Sequence, residues 1–228
     1  MKNKPKKSLG QNFLQNPDII KKIISCGLLQ KAENILEVGP GTGNLTKEIM
    51  NQYPNNFIVV EKDNNLCNIL KKEFNNDLNI VNQDILNVKL NSFNCDNLII
   101  FGNLPYNIST QILINWILHD YNFKIIKKLV LMFQKEVADR ILGRVNEKNY
   151  GRLSIIANWK LDIKKEFDIS ASSFFPKPKV NSTVLSMIPK NNYFKLSNPD
   201  SLEKITSIFF NQRRKMIKKP LNKIFNNN

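Results

Sequence analysis

Short apolar runs alternate along this chain with longer stretches in which apolar residues return every three or four positions. The runs at 34–38, 57–60, 78–81, 98–101 and 127–133 have the length and content of buried strands. Between them, 45–50, 64–74 and 112–118 read as helices, and a further helix follows the last run from 134 to 140; in 64–74, Leu66, Ile69, Leu70 and Phe74 share one face. An earlier helix at 19–26 has Pro17 near its start and Gly27 just past its end. Strand followed by helix, repeated, predicts an α/β domain on a largely parallel sheet. After residue 150 the spacing changes. Residues 153–159 read as a strand, 163–169 as another segment mixing charged and apolar residues, and 183–188 as the strand that closes the sheet. From Asn191 the sequence is Asn- and Lys-rich and helix-like, so the expected organisation is one domain over 1–190 and a short helical lobe over 191–228.

Polar clusters fall where the predicted strands end, the edge at which open α/β sheets bind ligands. After the first strand come Gly39, Gly41 and Gly43, whose missing side chains let backbone approach a ligand closely. Glu61 ends the second strand 20 residues after Gly41, where an acidic residue accepts from ribose hydroxyls. The glycine spacing is neither GxGxxG nor GxxxxGK[ST]. A dinucleotide and a nucleoside triphosphate therefore fit less well than a nucleoside without pyrophosphate, of which S-adenosylmethionine is the common example. Asn82-Gln83-Asp84 follows the third strand, and Asp84 either accepts from an adenine amine or caps a turn.

The fourth strand delivers Asn103-Leu104-Pro105-Tyr106. The Asn103 side-chain oxygen and the Leu104 carbonyl can both accept from one exocyclic NH2 group, Pro105 biases Leu104 to an extended backbone, and Tyr106 offers a face for stacking. The plainer alternative is a strand ended by proline with a core tyrosine. Two other stretches carry a similar choice. Gln11 and Asn12 are either a lead-in to the first helix or a cap across the sheet edge. In the stiff, basic loop 172–182, the two phenylalanines either anchor the loop or supply, through Phe174, a second wall opposite Tyr106.

Charge adds a partner to this picture. A formal net charge of +15 points to a polyanion. Because the chain is crowded with Asn, Lys and Ile, as AT-rich coding produces, the arginines carry more information than the lysines. Arg140 and Arg144 lie four apart on a predicted helix, Arg152 follows a polar loop, and Arg213 and Arg214 form a basic cluster near the end; these are the expected phosphate contacts. Three cysteines and one histidine without ligand spacing suggest neither a disulfide framework nor a metal site. With no run of membrane-spanning length and no signal-type apolar segment after the basic start, a soluble cytoplasmic protein is expected.

In combination, SLGQNFL, EVGPGTGNLT, Glu61, NQD, GNLPYNIST, FQKEVADRI, YGRLS, FFPKPKVNS and NQRRK resemble the rRNA adenine N6-dimethyltransferases of the KsgA type, over nearly the whole chain. The resemblance implies a class I S-adenosylmethionine-dependent methyltransferase with a Rossmann-like, seven-stranded, mostly parallel sheet and a helical C-terminal lobe. It implies that Asn12, Leu14, Gly39, Glu61, Asp84 and Asn103 bind S-adenosylmethionine. The family's usual substrate is a pair of adjacent adenines in the terminal hairpin loop of small-subunit rRNA, methylated as the subunit matures, and a monomer is expected. Leu104, and the contexts of SLGQNFL and YGRLS, favour this group over the related erythromycin-resistance methylases of large-subunit rRNA. The 38 residues after Lys190 make a shorter lobe than is common in the family. The expected chemistry has a target adenine unstacked into a slot between Tyr106 and Phe174, its N6 held by Asn103 and the Leu104 carbonyl. The rival readings are a non-catalytic RNA-binding or transcription factor on a decayed methyltransferase, and a DNA adenine methylase.

Overall fold

A computed structural model describes residues 5–6, 9–30, 32–75, 78–119, 123–211 and 216–225. The first elements in chain order are β1 (Phe13–Leu14), α1 (Pro17–Gly27), β2 (Asn34–Val38), α2 (Asn44–Met50), β3 (Asn56–Val60), α3 (Asn64–Glu73) and β4 (Asn79–Val81). Next come β5 (Leu98–Gly102), α4 (Ser109–Leu118), β6 (Ile126–Gln134), α5 (Lys135–Leu142) and α6 (Arg152–Lys160). The chain ends with β7 (Leu161–Ile169), β8 (Phe174–Phe175), β9 (Ser182–Pro189), α7 (Pro199–Phe210) and α8 (Lys218–Phe225).

Seven strands form one sheet in the order β4-β3-β2-β5-β6-β9-β7, with β9 antiparallel to both neighbours and the other strands running together. Alternation along the parallel strands divides the core. Leu36, Val38, Leu98 and Ile100 enter the face covered by α4, including Trp116, whereas Ile35, Ile99 and Phe101 enter the face covered by α1 with Ile20, Ile23 and Ile24. The chain leaves β2 toward β3 and β4 and returns to β5 on β2's other side, so the crevice beside the carboxyl ends of β2 and β5 is the topological switch point.

One expected strand is a helix. Residues 153–159 lie within α6, which packs against α4, α5 and α7 and buries Ser154, Ile156, Ala157 and Lys160. Contact on several sides leaves no polar stripe, so the apolar positions do not show the 3.6-residue period that marks a surface helix. The Ser154 hydroxyl accepts from the Gly151 N–H at 2.8 Å, fixing the helix start. The strand comes immediately afterwards, as β7. A small second sheet pairs β1 with β8, matching Phe13 to Phe175 and Leu14 to Phe174.

Beyond β9, α7 lies against α6, and Trp159 Nε1 donates to the Phe194 carbonyl at 2.6 Å. The Lys160 ammonium is buried over the rings of Trp159, Phe123 and Tyr193, at 4.4, 5.0 and 5.1 Å from their centroids. Arg213 and Arg214 lie outside the described residues.

Candidate active site

The loops after β2, β3, β4 and β5 line one cavity with the strap of residues 9–14. Gly39, Gly41 and Gly43 all have positive φ, between +61° and +86°, so β2 can turn sharply into α2. A side chain at Gly41 would come within 2.8 Å of the Phe13 ring, so the strap lies directly on the glycine loop. The strap is tied at its far end by the β1–β8 pairing, by Asn44 Nδ2 donating to the Leu14 carbonyl at 2.7 Å, and by Gln15 N–H donating to the Ser173 carbonyl at 2.9 Å.

Three carboxyl groups face this cavity in different states. Glu61, at the end of β3, accepts from the Asp63 N–H at 2.8 Å and the Gly41 N–H at 3.4 Å, and burial pushes its carboxyl upward. Glu37, within β2, is fully buried and accepts from the Thr46 hydroxyl at 2.7 Å; burial raises it to about 8. Sequence reasoning missed Glu37, although a single acid in an otherwise apolar strand was the available signal. Asp84 serves the turn as a cap: Oδ1 accepts from the Leu86 N–H at 3.0 Å, and Oδ2 pairs with Lys62 at 2.7 Å. Burial pushes Asp84 up, but these two partners outweigh it and hold the carboxyl below the usual range. Gln83 and Ile85, beside Asp84, line the wall at the expected edge, and Leu66 and Met132, which were not anticipated, complete it.

Asn103 leaves the end of β5 and lines the cavity. Its Nδ2 donates to the Asn12 carbonyl at 2.7 Å, and among the described residues Oδ1 has no hydrogen bond. The Leu104 side chain is buried in the core beneath, and Pro105 and Tyr106 lie on the cavity wall. The Tyr106 hydroxyl lies 2.5 Å from Ser182 Oγ at the start of β9, so the ring is fixed from the sheet edge. The expected sites Asn12, Leu14, Gly39, Gly41, Glu61, Asp84, Asn103, Leu104, Pro105 and Tyr106 all line this one cavity.

Phe174 does not join them. It is 4% exposed and packs into the core with Leu14, Ile169 and Val184, whereas Phe175 is 53% exposed. Strand pairing explains this: consecutive residues of β8 point to opposite sides, and pairing with Leu14 sends Phe174 inward. In this arrangement Phe174 anchors the loop, and Ser182 from the same stretch holds Tyr106.

Arg140, Arg144 and Arg152 do not line the cavity. Arg140 pairs with Glu136 one helical turn away, and Arg144 is exposed. Arg152 pairs with Glu203 of α7, and its Nε is buried without a partner among the described residues, so it joins α6 to the lobe. Lys177 and Lys179 are exposed on the β8–β9 loop.

The family model described as ribosomal RNA adenine dimethylase matches residues 2–228. The chain is 52% identical over 224 residues to the ribosomal RNA small subunit methyltransferase A of Pelagibacter ubique (strain HTCC1062), covering 98% of this chain and 85% of the relative. It is 41% identical to the protein of the same name from Wolbachia sp. subsp. Drosophila simulans (strain wRi), covering 98% and 82%. Among solved structures, a dimethyladenosine transferase from Plasmodium falciparum superposes with TM-score 0.78 at 32% identity, covering 92% of this chain and 74% of that one. The 23S rRNA methyltransferase ErmE superposes with TM-score 0.72 at 22% identity, covering 93% and 84%, a likeness of fold.

Proposed function

Because the chain belongs to the ribosomal RNA adenine dimethylase family, we propose that it transfers methyl groups from S-adenosylmethionine to the N6 of adenines in small-subunit rRNA. The residues fit that cofactor. Glu61 offers a fixed carboxylate to a ribose diol, and the glycine loop offers backbone without side chains. When bound, S-adenosylmethionine supplies an electrophilic methyl group whose leaving group is a neutral thioether.

The chain's own task is positioning. Asn103 Oδ1 and the Leu104 carbonyl accept from the two N6 hydrogens, localising the nitrogen lone pair, while Tyr106 stacks on the base. The observation that carries this reading is the bond from Asn103 Nδ2 to the Asn12 carbonyl, which leaves the amide oxygen as the acceptor presented at the cavity. The proposed target is the pair of adjacent adenines in the terminal hairpin loop, reached on a maturing subunit by a cytoplasmic monomer. Basic residues Arg140, Arg144, Lys177, Lys179 and the Arg213-Arg214 cluster contact phosphates. No helix of the described residues is long and apolar enough to cross a membrane.

The test is transfer of labelled methyl groups to small subunits from cells lacking the modification. Asn103→Ala is expected to cut transfer by about 10²- to 10³-fold while still binding S-adenosylmethionine; full transfer by that variant overturns the reading.

A further inference from the structure

Asp63 has no place in the chemistry outlined above, yet its side chain is buried beside the cavity mouth at 4% exposure. Its carboxylate accepts from Lys6 Nζ at 2.9 Å and from Gln11 Nε2 at 3.0 Å, two residues of the N-terminal segment 57 and 52 positions away. Gln11 Oε1 in turn accepts from the Lys6 backbone N–H at 2.7 Å, so the three residues close on one another. Within its own loop Asp63 caps α3 through the Asn65 N–H at 3.0 Å, and its backbone N–H donates to Glu61 at 2.8 Å. Immediately after Gln11 comes Asn12, whose carbonyl holds Asn103.

The strap therefore has two moorings. The later one, at Phe13 to Gln15, is backbone pairing with residues 173–175. The earlier one depends, among the described carboxylates, on Asp63, and the Asn12 carbonyl lies between the two. A terminal amide rotates over a broad torsional range unless its hydrogen bonds hold it. Without the Asn12 carbonyl, Asn103 is free to present its NH2, a donor, to a substrate amine that is itself a donor.

We propose that Asp63 is a positioning residue for methyl transfer: by clasping Lys6 and Gln11 it holds the strap down, and the strap's Asn12 carbonyl holds the Asn103 amide oxygen toward the substrate nitrogen. The inference rests on the amine-holding reading of Asn103. It makes the N-terminal segment part of the substrate-reading machinery as well as a cover for the cofactor. It also couples the two halves of the site, because one residue orients Glu61 with its backbone and the strap with its side chain.

The decisive variant is Lys6→Ala/Gln11→Ala, which cuts the clasp from the strap side and leaves the α3 cap intact. Hydrogen bonds to a charged acceptor are among the strong ones, so kcat is expected to fall about tenfold. The KM for rRNA should stay within about twofold and the melting temperature close to wild type. Asp63→Asn, which keeps a cap acceptor and loses the charge, should fall between the double variant and wild type. In an Asp63→Ala background, removing Lys6 and Gln11 should cost nothing further, as members of one network behave non-additively. Wild-type kcat in Lys6→Ala/Gln11→Ala alongside a strongly impaired Asn103→Ala overturns the clasp alone. Wild-type kcat in Asn103→Ala overturns the amine-holding reading and the clasp with it. In Asp63→Ala, a lower melting temperature with unchanged kcat assigns Asp63 to helix capping only and likewise overturns the proposal.

Discussion

The cavity edge and the C-terminal lobe are built in contrasting ways. At the cavity edge, Glu61, Asp63 and Leu104 are nearly inaccessible, and backbone and side-chain hydrogen bonds connect residues from five separate loops. In the lobe, Thr206 is the buried residue of α7, while Phe194, Met216 and Phe225 each expose more than 70% of their surface. Among the described residues, the lobe meets the sheet domain through Arg152 with Glu203, Trp159 with Phe194, Phe210 edge-on to Tyr150, Tyr193 and Leu202 against the core, and the rings around Lys160. Chemistry that works by positioning needs the first kind of construction. Binding that comes from charge rather than from exact placement does not need it.

The sharpest way to break this contrast is at Asn103. If the cavity edge is a positioning device, Asn103→Ala should lower kcat by roughly 10²- to 10³-fold, the range for removing one oriented hydrogen-bonding group at a reacting centre. Its urea midpoint should remain near that of wild type, because Asn103 is only partly buried. Single-turnover transfer and equilibrium unfolding measured on the same preparation check both halves.

The next largest effect is a pH dependence specific to the cavity edge. Glu37 is held protonated to about 8 in the folded chain, above its ordinary value. The folded state therefore carries a proton that the unfolded chain has lost, and stability falls as pH rises from the ordinary carboxylate range toward 8. The slope is at most about 1.4 kcal/mol per pH unit for one proton. Glu61 is shifted the same way and adds to it. Asp63, Asp84, Glu166 and Asp168 are shifted downward, so their contributions disappear only in more acidic solution. Unfolding free energies at pH 5, 6, 7 and 8 should show the decline, and Glu37→Gln should flatten much of it.

How much of this was legible in the sequence follows the same division. The parallel strands and the residues at their carboxyl ends could be read because a buried strand must be continuously apolar, which makes each Gly, Glu, Asp or Asn at its end conspicuous. Long-range pairing was hidden. Nothing local in Phe174-Phe175 says which ring turns inward, since that is decided by its pairing with Phe13-Leu14. The segment 153–159 misled because a helix enclosed on several sides loses the polar stripe that identifies it. Nothing local marks Asp63 out, and only the fold brings Lys6 and Gln11 onto it.

A smaller effect is expected where the loop after β8 meets the cavity. Ser182→Ala removes the partner of the Tyr106 hydroxyl. One hydrogen bond of this kind contributes about 0.5–1.5 kcal/mol, so kcat should drop roughly two- to tenfold. Tyr106→Phe should give a similar value and the double variant no further loss. A larger fall in Ser182→Ala than in Tyr106→Phe would show that the serine has a second task.

The smallest effect tests the lobe itself. Arg152 and Glu203 are each about one-third exposed, so solvent screens their pairing and its contribution is about 0.2–1 kcal/mol. Glu203→Gln should therefore weaken binding to small-subunit rRNA by no more than about fivefold and leave the affinity for S-adenosylmethionine within twofold. Raising the salt concentration should lower rRNA affinity steeply in both proteins with nearly the same slope, because Arg152 is engaged with Glu203 and not counted among the phosphate contacts. A slope that becomes steeper in Glu203→Gln would mean that Arg152, once released, takes up a phosphate. The pair would then be a latent RNA contact held in reserve by the lobe, and the contrast between a rigid edge and a thin lobe would need to include a charge that moves between them.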